Sequence, residues 1–290
     1  MGVVGYGSPS TVVGNTNQDV TQTLALINSA GGELNREFDW QYGRTQYNFE
    51  ATYFAYTGTT TSGSTSLTSM SSIASLGTTF MVEGTGIPQD TFINAAPSGN
   101  TVVMNREATA SGSGVTLTFS KVRFAVPSDF DRMVDRTHWD KDAHWSLIGP
   151  LTPQQSEWFR SGYIARGPRI RHWQQQGFFQ IWPPLGDDEN LSYTYQSKWW
   201  ILATGATALS KELYTVDTDT CIFPDPVMRA LIKLKYFETK NFDTTAVYRD
   251  YRAQVDIAKA NDAGSPTLSM APRVPEVLIG PEHLPDSGFG

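Results

Sequence analysis

A single cysteine, Cys221, occurs in 290 residues. That excludes an intrachain disulfide and a thiolate metal cluster, and it fits a reducing cytoplasm, with Cys221 read as a small, semi-buried side chain. Long apolar runs are missing too. The longest cluster, Trp199-Trp200-Ile201-Leu202-Ala203, falls well short of the roughly 18 residues of a membrane span, so no membrane partner is expected. Basic charge is absent from the start of the chain: its first basic residue is Arg36, whereas a secretory leader begins with positive charge, so no leader is expected. Charge of either sign is scarce, at 18% of residues, below the roughly 25% of ordinary soluble domains. Much of the surface is therefore expected to face protein rather than water.

Motifs of common chemistry are also lacking. There is no P-loop, no GxGxxG following a strand and no GxSxG elbow, and His138, His144, His172 and His283 show no zinc-ligand spacing. No cofactor or metal is expected. Three close carboxylate pairs, Asp129 with Asp131, Asp140 with Asp142 and Asp217 with Asp219, are the first enzyme candidates. A glycosidase needs its two carboxyls across a cleft, which nearness in sequence does not supply. Val216-Asp217-Thr218-Asp219-Thr220 superficially resembles an aspartyl-phosphate loop, but Lys211, Glu212 and Thr215 precede it where a buried strand belongs. The segment reads as turn or helix-capping residues before Pro224. No catalytic residue is expected, and the four histidines read as surface or packing groups.

The net charge of -7 is unevenly spread. Residues 121–263 carry 36 charges in balance, whereas residues 57–120 carry only Glu83, Asp90, Arg106 and Glu107. No basic stripe is available to neutralise phosphates, so tight DNA binding is not expected. A neutral or acidic wall remains compatible with non-specific contact with DNA sliding past it.

The N-terminal arm, residues 1–16, has no period. From Asn17 onward Val20, Leu24, Ile27, Leu34 and Phe38 follow helical spacing, with Asn17 or Asp19 as N-cap and Gly31-Gly32 as a kink or a close-approach point. Tyr47 to Tyr56 reads as a strand. In residues 58–120, 32 of 63 positions are Gly, Ser or Thr, yet Val115, Leu117 and Phe119 alternate with Thr116, Thr118 and Ser120 as a half-buried strand does. The apolar phase then slips to Val122, Phe124 and Val126, marking a bulge or a junction. These observations suggest an all-β module inserted at a hairpin joining 47–56 to 121–126. Ile170 to Ile181 and Leu191 to Tyr195 read as strands. Pro226 to Ala263 reads as two helices with a break at Asn241 to Thr245. The expected fold is α+β: a helical bundle of N- and C-terminal helices with a β-sheet region and an inserted all-β module. The expected domains are a core of residues 1–56 and 121–263, a β-module of 57–120 and an extended tail of 264–290.

Three segments together resemble head-to-tail adaptor proteins of tailed, short-tailed bacteriophages. They are Ala30-Gly31-Gly32-Glu33-Leu34-Asn35-Arg36-Glu37-Phe38-Asp39-Trp40, then Val126-Pro127-Ser128-Asp129-Phe130-Asp131-Arg132-Met133-Val134-Asp135-Arg136-Thr137 with Trp139, and Asp217-Thr218-Asp219-Thr220 leading into Pro224. The resemblance covers residues 17–56 and 121–263. Gly84-Thr85-Gly86-Ile87-Pro88 is similar to a turn of small β-modules in phage structural proteins. The resemblance implies a homo-oligomeric, twelvefold ring in the virion at the head-tail junction, made in the host cytoplasm. Its partners would be the portal protein and the tail nozzle protein, with DNA passing through the lumen, and it carries over no catalytic residues. Val274, Val277, Leu278, Ile279 and Leu284 are the expected partner-binding residues, docking on the portal or a neighbouring subunit, and deleting residues 264–290 is expected to abolish ring attachment. A competing expectation is a glycan-binding or glycan-cleaving tail component. It would use the β-module and a platform of Trp139, Trp145, Trp158, Trp173, Trp182, Trp199 and Trp200.

Overall fold

The computed structural model describes residues 9–161 and 169–263. Its contacts divide the chain into two units, Met1–Gly31 with Phe223–Gly290, and Gly32–Ile222. Among the described residues four α-helices accompany five antiparallel sheets of five, three, three, four and two strands. The expected helical bundle with a β-insert is therefore corrected: the molecule is mostly β, and sheets rather than helices organise the second unit. The physical reason lies in strand length. Many strands have only two to five residues, too few to display a period, whereas helices of 15 to 20 residues announce themselves.

In the first unit, α1 (Gln18–Glu37) begins after Asn17, whose side-chain oxygen accepts the Asp19 backbone N–H at 2.9 Å. The helix runs unbroken through Gly31 and Gly32. The later helices α3 (Asp225–Thr239) and α4 (Thr245–Ala263) pack on each other. Val227, Leu231 and Leu234 from one, and Val247, Tyr251, Val255 and Ala258 from the other, are buried. The end of α3 explains the break. Asn241 adopts a left-handed φ of 56°, its N–H reaches the Glu238 carbonyl at 3.1 Å, and the Phe242 N–H reaches the Phe237 carbonyl at 2.9 Å. The Phe237 and Phe242 rings meet edge to face at 5.6 Å. This is a Schellman cap with its hydrophobic contact, made by Asn where Gly is commoner.

In the second unit the long strand Glu189–Ser197 is central to the five-stranded sheet. Arg44–Ala51 pairs along its whole length on one side, and Phe130–Met133 and Trp139–Asp140 share the other. Its Leu191, Tyr193 and Tyr195 enter a core with Phe124, Phe179, Ile181, Trp173 and Trp182. The expected strand over 47–56 is two strands, because Arg44–Ala51 ends before Thr52 and Tyr53–Thr60 joins a different sheet with Gly112–Lys121. The proposed hairpin between 47–56 and 121–126 is corrected with it: Arg123–Ala125 pairs with Phe178–Trp182 instead. The phase slip after Phe119 is this change of sheet, with Val122 between the strands. Ile170 to Ile181 is likewise a hairpin, Arg171–Gln175 with Phe178–Trp182, turning at Gln176 and Gly177, both at positive φ.

Residues 53–121 build a second core from Leu67, Met70, Phe80, Val82, Val102, Met104, Leu117 and Phe119. The strand Phe80–Gly84 serves both cores, since Phe80 and Val82 point to this one and Met81 to the other. The contact is reinforced by α2 (Pro153–Arg160), whose Arg160 holds both oxygens of Asp90 at 2.8 and 2.9 Å. This short helix forms because Thr152 and Gln155 make a reciprocal capping box and Pro153 occupies the first turn.

Candidate functional site

Two features of the second unit present chemistry to the outside, and residues 195–222 contribute to both. The first is a loop. Leu209–Lys211, Ile201–Leu202 and Thr220–Cys221 form the small sheet, and the chain between Lys211 and Thr220 is gathered by one carboxylate. Asp219 receives the Lys211 ammonium at 2.8 and 2.9 Å, and the backbone N–H groups of Thr215 and Val216 at 3.1 Å each. The Lys211 hydrogen bond first, then the backbone donors, hold the Asp219 carboxyl down to about 2. The loop so pinned leaves Leu213 56% and Val216 49% exposed.

The second is a cavity of about 710 Å³ between the small sheet and the five-stranded sheet. Leu202, Leu209 and Ile222 give it aliphatic walls, Tyr42, Tyr195 and Trp199 aromatic ones, and Asp129 a carboxylate. Asp129 is buried, and its oxygens accept the Tyr195 and Ser197 hydroxyls at 2.8 Å each. Burial, and then the hydrogen bond to Asp129, push the Tyr195 phenol above its ordinary value, so it stays a donor.

The sequence-derived candidates fall as follows. Val274, Val277, Leu278, Ile279 and Leu284 lie outside the described residues. Five of the six paired carboxylates hold structural partners. Asp129 lines the cavity, while Asp131 pairs with Arg132, which also holds Asp39 at 2.5 Å. Asp140 accepts the N–H groups of Asp142 and Ala143, Asp142 accepts that of Asn190, and Asp219 pins its loop. His138 and His172 are buried and stacked with ring centroids 4.0 Å apart, against Phe179 and Tyr193. Burial lowers His138 to about 4, and burial with the neighbouring imidazole lowers His172 to about 3. Both are packing groups. Trp173, Trp182 and Trp200 are buried, whereas Trp145 and Trp158 are exposed. Among the described residues no group of three or more His, Cys, Asp or Glu side chains could hold a metal ion, and no helix is long and apolar enough to cross a membrane.

Sequence reasoning did not reach Tyr42, Leu213 or the cavity, because its walls come from positions 42 to 222 and meet only in the fold. The one local signal was the aromatic-aliphatic run beginning at Trp199. No protein-family model matches the chain, and no curated protein matches it either.

Proposed function

We propose that the chain is a non-enzymatic structural subunit of a tailed-phage virion. It is a head-to-tail adaptor that closes as a twelvefold ring between portal and tail nozzle around the DNA channel. The observation that carries this reading is the loop at Lys211–Thr220, where a single buried carboxylate fixes the backbone and two large aliphatic side chains are held outward. A loop ordered in advance loses little conformational entropy when a neighbour covers it, and exposed Leu and Val gain by being covered. Three residues of the segments quoted for the resemblance do the same kind of work: Asp39 anchors Arg132, Asp129 ties Tyr195 to Ser197, and Asp219 builds the loop. They are struts, as an assembly protein requires. The reading rests on these residues and not on a helical bundle, which the sheets replace.

A ring grows through heterologous contacts that close by rotation, and a balanced charge over residues 121–263 lets DNA pass without being held. The glycan alternative has less behind it, since three of the seven tryptophans it would use are buried in cores. The test is to combine the full chain with the portal ring of the same phage and to image the product by cryo-electron microscopy. One copy per portal subunit, closed into a ring, is expected. A chain that ignores the portal and binds or cleaves polysaccharide contradicts the proposal.

A further inference from the structure

We infer that the cavity beside Asp129 is a binding site for a small organic cation, an ammonium group carried on an apolar stem. This goes beyond the adaptor reading and does not depend on it. The volume of about 710 Å³ falls in the range of small-molecule pockets. Among the described residues that line it, Asp129 is the only charged one.

Asp129 is 8% exposed and its two oxygens each accept one neutral hydroxyl. A carboxylate offers about four acceptor sites, so two remain, and two O–H donors leave the negative charge without a counter-ion. Among the described residues no cation forms an ion pair with Asp129. A buried charge without a counter-ion is costly even when hydrogen-bonded, and a cation arriving in the cavity offsets that cost. Tyr42 and Trp199 supply ring surfaces of the kind that attract cations, and Leu209 and Ile222 supply apolar surface for the stem. The same carboxylate repels phosphates and other anions.

Cys221 also lines the cavity and is the only thiol in the chain, so its alkylation by N-ethylmaleimide reports occupancy in the full-length protein. Butylammonium, at about ten times its dissociation constant, is expected to slow labelling about tenfold, while 1-butanol at the same concentration leaves it unchanged. Asp129→Asn is expected to abolish the preference for the ammonium over the alcohol. Because Asp129 also supports Tyr195 and Ser197, a second variant guards against misfolding. Tyr42 is 77% exposed, and Tyr42→Ala is expected to weaken protection by butylammonium by roughly twofold to fivefold with an unchanged melting temperature. Equal protection by 1-butanol, protection by methyl glucoside alone, no protection by butylammonium, or full protection in Tyr42→Ala would each overturn the inference.

Discussion

His138 and His172 are neutral in the fold because two stacked, buried imidazoles have no water to solvate a charge. Nε2 of His138 meets the Met133 sulfur at 3.3 Å. Their folded values of about 4 and about 3 lie below the ordinary 6.5. The unfolded chain therefore binds protons first, and the stability they confer is complete above pH 6.5 and falls as the pH drops toward 3. His172→Phe keeps the ring stack without the titration, and is expected to flatten the acid limb of melting temperature against pH. A limb as steep as in the parent would contradict this. Glu189 works in the opposite sense. Burial, then the Asp140, Asp142 and Asp187 carboxylates, raise it to about 7 from 4.5. The folded state thus holds the proton more tightly, and stability is complete below pH 4.5 and declines as the pH rises through 7. Glu189→Gln is expected to raise the melting temperature at pH 8 and leave it nearly unchanged at pH 4, as thermal unfolding at the two pH values would show.

Among the elements, the loop at Lys211–Thr220 depends on one side chain. Asp219→Asn keeps the shape but loses the charge that gathers Lys211 and two backbone amides. Hydrogen exchange at Thr215 and Val216 is expected to accelerate selectively, with amides of the Glu189–Ser197 strand unaffected; uniform acceleration would mean that Asp219 supports the whole unit. What the sequence revealed of the elements follows from their length and punctuation. The helices α1, α3 and α4 are legible because each spans several turns, and Gly112–Lys121 is legible because Leu117 and Phe119 alternate with polar neighbours. The hairpin at 171–182 reads as one strand because Gln174-Gln175-Gln176-Gly177 lacks the Asn or Asp that usually marks a tight turn. The break at Thr52 is silent, since threonine favours strands and the chain there only changes sheets. The helix α2 does carry a local signal, Thr152-Pro153 followed by Gln155, the residues of a capping box. The cavity has no signal beyond the run at Trp199, because Tyr42, Asp129, Tyr195 and Ile222 meet only in the fold.

For the whole molecule, the proposed role takes low charge and outward aliphatic side chains together, as a surface for other protein chains to cover. The proposed phage role rests, at the level of sequence, on the resemblance alone, whose residues pack and cap rather than react. Replacing Leu213 and Val216 together by serine removes apolar surface without touching a core, so stability is expected to change little while attachment to the ring weakens. Sedimentation of the variant with the portal measures this, and attachment equal to the parent's would show that the loop is not a contact. The most direct measurement for the account as a whole is cryo-electron microscopy of the full chain bound to its portal. The account predicts a closed ring in which the Leu213 and Val216 loop is covered by a neighbouring protein chain. A portal left bare, or a ring in which that loop stands free in solvent, would contradict it.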